Sequence, residues 1–102
     1  MNYQQLEAQF SQLDGVARST MMGTPCLRYK GEFFAMVFEK QDSLIIKVSA
    51  DRVNELIANG QGNEFNFTKK RFKEWVLIPI EFDDKFESYL QEALEYARLK
   101  TG

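Results

Sequence analysis

The chain has 102 residues, of which 44% are hydrophobic and 27% charged, with one cysteine, no histidine and a formal net charge of −2. That length suits one domain, residues 1–102, able to bury its own core. The single Cys26 excludes an internal disulfide, and the acidic balance argues against a protein that binds nucleic acid over its whole surface.

The N-terminus, Met1–Glu7, lacks the basic and apolar regions of a signal peptide. No apolar run approaches the roughly 18 residues of a membrane span. A cytoplasmic domain with no membrane contact is the expectation. Nine Phe, four Tyr and one Trp are a heavy aromatic load, enough to supply much of the core of a small domain.

Tyr3, Leu6, Phe10 and Leu13 recur at helical spacing and predict an N-terminal helix ended by Asp14-Gly15. A short strand, Val16 to Thr20, follows. Gly23-Thr24-Pro25 reads as a loop. Cys26–Tyr29 and Phe33–Phe38 flank Lys30-Gly31-Glu32 as a hairpin. After polar turn residues 40–43, Leu44–Val48 is a strand rich in β-branched residues.

Ser49 or Asp51 caps a second helix with Val53, Leu56 and Ile57 on its apolar face, stopped at Asn59-Gly60. Glu64–Phe67 and Trp75–Ile78 are two more strands, joined through the basic segment Thr68–Lys73. The last helix starts near Asp83-Asp84. Its apolar face is Phe86, Tyr89, Leu90, Ala93, Leu94 and Ala97, and Arg98 and Lys100 suit its C-terminal end. Strands in a run, bounded by helices, predict an α+β fold. The expected architecture is an antiparallel sheet of about five to six strands. N- and C-terminal helices pack against it, and one further helix is inserted after the meander.

The absence of histidine removes Ser-His-Asp and Cys-His catalysis and the commonest zinc ligand. Gly60-Gln61-Gly62 lacks the rest of a phosphate loop. Cys26 could act as a nucleophile if Arg28 or Lys30 lowered its pKa; packing as a small strand hydrophobe is the preferred reading. Asp83, Asp84, Glu87, Glu92 and Glu95 are read as helix capping and solvent-facing charge, ahead of a convergent acid pair. No catalytic residue, metal ligand or cofactor is assigned, and the chain is not expected to be an enzyme.

Two surfaces stand out. Lys69, Lys70, Arg71 and Lys73 lie among Phe65, Phe67 and Trp75, a mixture of cations and rings suited to single-stranded nucleic acid. A solvated loop is the competing and preferred reading. Arg18, Met21, Met22 and Gly23, with Phe33, form a second candidate: an exposed apolar patch or open sheet edge for an unknown protein partner or a second copy; for the two methionines, core filling is the competing and preferred reading.

Arg18-Ser19-Thr20-Met21-Met22-Gly23, Lys30-Gly31 before Phe34-Ala35, Leu44 with Lys47, Gly60, Phe65-Asn66-Phe67, Trp75 with Pro79, and Ala93 and Ala97 on the last helix make up an ordered pattern. It resembles the TfoX N-terminal domain family and, more loosely, the YjbR/MmcQ-like proteins, from about Arg18 to Ala97. The resemblance implies an α+β fold with an antiparallel sheet and no known catalytic residues. By analogy with regulators of DNA-uptake competence, it suggests a regulatory role. The expectation is therefore a non-catalytic regulatory or protein-interaction module, monomeric or weakly dimeric. A nucleic-acid-binding module using residues 69–73 is the alternative.

Overall fold

A computed structural model describes residues 3–21, 24–38, 43–67 and 70–101; the side chains of residues 3, 4, 21, 38, 66, 67 and 70–72 lie outside that description. The elements run α1 (Tyr3–Phe10), β1 (Val16–Met21), β2 (Thr24–Tyr29), β3 (Glu32–Phe38), β4 (Ser43–Lys47), α2 (Ala50–Ala58), β5 (Asn63–Phe67), β6 (Lys70–Ile78) and α3 (Phe86–Thr101). The strands form one open, wholly antiparallel sheet in the order β1-β2-β3-β4-β6-β5. This is the expected α+β fold.

One sheet face packs under the helices. Leu6 and Phe10 of α1, Val53 and Leu56 of α2, and Phe86, Leu90, Ala93, Leu94 and Ala97 of α3 join Leu27, Ala35, Leu44, Ile46, Val76 and Ile78 in the main core. At about 25 cal/mol per Å² of apolar area removed from water, such burial is the chief term favouring the fold. A second buried cluster contains strand residues alone: Cys26, Phe33, Met36, Ile45, Phe65, Trp75 and Leu77. Strand alternation places it on the opposite, helix-free face.

Local chemistry explains the helix ends. The Ser49 hydroxyl accepts the Arg52 N–H at 3.2 Å and so caps α2. α1 stops at Phe10, earlier than the spacing suggests: the Leu13 N–H bonds to the Phe10 carbonyl and the Val16 N–H to that of Leu13. These tight turns leave Leu13 38% exposed. Gly15, at φ +84°, closes the turn, where a β-carbon would lie 2.7 Å from the Tyr29 ring. α3 starts at Phe86, later than the acidic pair suggests, because a 3₁₀ stretch, Ile80–Lys85, precedes it and Phe82 leaves helical geometry there.

Two segments read as loops are strand. Thr24 and Pro25 belong to β2, and Lys70 to Lys73 to β6. In both cases a partner strand, β1 or β5, supplies a ladder that overrides weak local propensity.

Candidate functional site

The candidate residues are spread across the sheet: Arg18 and Met21 on the marginal strand β1, Phe33 on the inner β3, and Lys70, Arg71 and Lys73 on β6 beside the other margin. Arg18 lies on β1, the first strand in the spatial order, with its side chain 59% exposed and its Nε 3.4 Å from Glu7 of α1. Met21 ends β1, while Met22 and Gly23 fall outside the described residues. Phe33 does not join an exposed patch with them. It is 4% exposed and stacks on Trp75 at 4.5 Å between ring centroids, with Phe65 closing the trio at 5.5 Å from Trp75. Burial of three rings against one another on the helix-free face outweighs any gain from leaving Phe33 in water.

The basic segment sits beside the other margin. Lys69 lies outside the described residues; Lys70 and Arg71 are placed by backbone, and Lys73 is exposed. β6 pairs with β4 through Trp75 to Ile78, whereas the described partners of Lys70 and Arg71 are Phe67 and Asn66 of β5. That end of β6 therefore belongs to a two-stranded ribbon running past β4.

Cys26 is fully buried. Burial pushes its thiol above the ordinary value, with Arg28 opposing the shift. A thiol held protonated is a poor nucleophile. Three of the helix carboxylates are held in ion pairs. Glu92 pairs with Arg52 at 2.5 Å, Glu95 with Arg98 at 2.9 Å, and Arg52 also reaches Glu55. Asp84 and Glu87 line a groove of about 440 Å³ with Gln9, Phe10, Leu13, Ser88 and Gln91. Among the described residues, no three His, Cys, Asp or Glu side chains gather as a metal ion would require. No described helix is long and apolar enough to cross a membrane.

The arrangement that sequence reasoning did not resolve is the difference between the two sheet edges. The β5–β6 register shifts between Glu64 and Asn66, and the extra residues lie on β6: Glu64 pairs with Val76 but Asn66 with Arg71. The ladder at this margin is therefore interrupted from the inner strand. β1 pairs with β2 without a shift from Val16↔Tyr29 to Met21↔Thr24, and contains neither Lys nor Pro. Its neighbours are held firmly. The Arg28 guanidinium donates to the Ser19 hydroxyl at 3.2 Å and to the Gly31 carbonyl at 3.1 Å.

With this geometry, the chain matches the family model of the TfoX N-terminal domain over residues 8–97. The chain belongs to the TfoX N-terminal domain family. The match spans α1 to α3, so this TfoX N-terminal domain carries the family pattern through the helical layer as well as the sheet. No curated protein and no solved structure matches it.

Proposed function

We propose that this TfoX N-terminal domain is a non-catalytic protein-interaction module, of a kind suited to regulation, that docks a partner by strand addition along β1. The supporting observation is the unbroken ladder of β1, the first strand of the sheet, with no further strand on its outer side among the described residues. Strand addition takes affinity from main-chain hydrogen bonds and specificity from alternate side chains. The absence of histidine from the sequence and the buried, protonated thiol of Cys26 support a role without catalysis. Comparative affinity capture with the wild type and Thr20→Pro tests the reading. Proline removes a main-chain donor from the edge, so specific partners should be lost from the variant and kept by a Leu99→Ala control. Equal recovery from the wild type and Thr20→Pro would refute the use of β1.

The β5–β6 ribbon favours a second reading. A two-stranded ribbon fits the major groove of duplex DNA, and Lys70, Arg71 and Lys73 occupy β6 in it. Fluorescence anisotropy with labelled single- and double-stranded oligonucleotides decides it. Binding that weakens steeply with salt, and is lost when residues 69, 70, 71 and 73 become Ala, supports the ribbon. No binding at low salt excludes it.

A further inference from the structure

The hydrogen-bond alternation of β1 says which of its main-chain groups face outward. The Lys30 N–H bonds to the Gly15 carbonyl at 2.8 Å, and Gly15 and Lys30 continue the Val16↔Tyr29 register by one step. Gly15↔Lys30 is therefore a hydrogen-bonded pair. In an antiparallel ladder such pairs recur every second residue, which makes Ala17, Ser19 and Met21 the β1 residues bonded to β2. Arg18 and Thr20 direct their N–H and C=O toward the free edge. Pro25 agrees with this assignment: it lies opposite Thr20 and has no N–H to give.

Resting on the reading of β1 as the docking edge, we infer that its partner is a second copy of this chain. The two β1 strands pair antiparallel about a twofold axis at Ser19. This register sets Arg18 of each copy opposite Thr20 of the other, and these four residues become two hydrogen-bonded pairs. The axis stands perpendicular to the sheet, so the helices of both copies stay on one side of a continuous sheet.

Charge favours the same register. Arg18 is the single charged residue of β1 and carries its own counterion, Glu7. A twofold axis at Arg18 would set two arginines directly opposite, which is destabilising. An axis at Ser19 sets Arg18 against a neutral, exposed Thr20 and two serines against each other. Such a contact is isologous and closes on itself. It is small beside the roughly 800 Å² per partner of a stable interface, so the dimer is weak.

Sedimentation velocity on the purified chain, from roughly 10 µM to 1 mM, tests the pairing. Thr20→Glu places a carboxylate opposite each Arg18 and should tighten the dimer roughly 2- to 30-fold, an effect that salt weakens. Thr20→Arg should weaken it by a similar factor. Thr20→Pro should be monomeric. Circular dichroism and thermal melts confirm that each exposed-site variant remains folded. A wild type monomeric at every concentration, or Glu and Arg variants shifting the same way, would overturn the second-copy assignment. If the wild type is monomeric yet captures a partner that Thr20→Pro does not, the edge reading stands and self-pairing falls. If Thr20→Pro changes neither association nor capture, both fall.

Discussion

Gly62 offers a direct test of how the α2–β5 connection seats on the sheet. It is buried, and a β-carbon there would lie 2.5 Å from Cγ2 of Val76, 3.4 Å from Cδ1 of Ile78 and 3.5 Å from the Leu77 carbonyl. Its backbone is not in the left-handed region, so the cost of Gly62→Ala is overlap alone. Overpacking of this kind costs about 1–3 kcal/mol, offset by about 0.4–1 kcal/mol from a stiffer unfolded chain. The middle of those ranges gives a net loss of about 1.3 kcal/mol, or roughly 5–10 °C in Tm for a domain of this size. Val76→Ala alone removes two buried methyl equivalents and costs about 2 kcal/mol. The double variant removes the clashing methyl and part-fills the hole it leaves. It should be no less stable than Val76→Ala, a coupling of about 1–2 kcal/mol. Urea unfolding followed by the fluorescence of buried Trp75 measures all four proteins. Additive losses would refute this account of the contact.

Three further outcomes are expected. Phe33→Ala should cost about 3–5 kcal/mol and shift Trp75 emission to longer wavelength; a small loss with unchanged emission would contradict the ring stack. Cys26 should react with a disulfide reagent far more slowly than a free thiol in native buffer and at full rate in denaturant, because burial keeps it protonated and out of reach; fast native labelling would refute this. The contact of Lys100 with Glu74, at 3.1 Å, should tie the end of α3 to β6 within a defined pH window. Burial raises the Glu74 pKa, but hydrogen bonds from Lys100 and Tyr96 prevail and hold it below the ordinary 4.5. Its contribution is therefore present above pH 4.5 and lost as pH falls through the lowered value. Lys100 is raised above 10.5, chiefly by Glu74, so its contribution is present below pH 10.5 and lost as pH rises through the raised value. Both groups are more than a third exposed, which keeps the effect below about 1 kcal/mol. The protection of amides at the end of α3, taken relative to their intrinsic exchange rate at each pH, should fall at both extremes in the wild type, and depend less on pH in Lys100→Met.

The elements that were legible in the sequence are those whose signal is local. α3 shows its buried face as Phe86, Tyr89, Leu90, Ala93, Leu94 and Ala97, and all six are buried. Ser49 caps α2 through its own hydroxyl. The segments read otherwise are those decided by a distant partner. Lys70 and Arg71 have poor strand chemistry and become strand opposite Phe67 and Asn66 of β5. Phe33 and Phe34 are adjacent, and both are buried. The ladder with β2 skips Phe34, since Arg28 pairs with Phe33 and Leu27 with Ala35. The near-continuous apolar run from Phe33 to Met36 is the mark of a strand covered on both faces, and in it lay the signal that Phe33 turns inward.

That double coverage bears on function. Helices fill one face of the sheet, and its own rings fill much of the other. Side chains of the kind that would make a sticky face are largely spent on the fold, so Phe33 cannot serve as an exposed anchor. What the sheet still offers is main-chain hydrogen-bonding capacity at its margins. At the other margin the regular register Asn63↔Leu77, Glu64↔Val76 carries Phe65 across from Trp75, and the extra β6 residues that follow interrupt the ladder. At β1 no ring needs seating, and the register runs unbroken from Val16 to Met21. The proposed use of β1 therefore rests on its unbroken ladder and on the composition of the strand, the two faces of the sheet being largely covered.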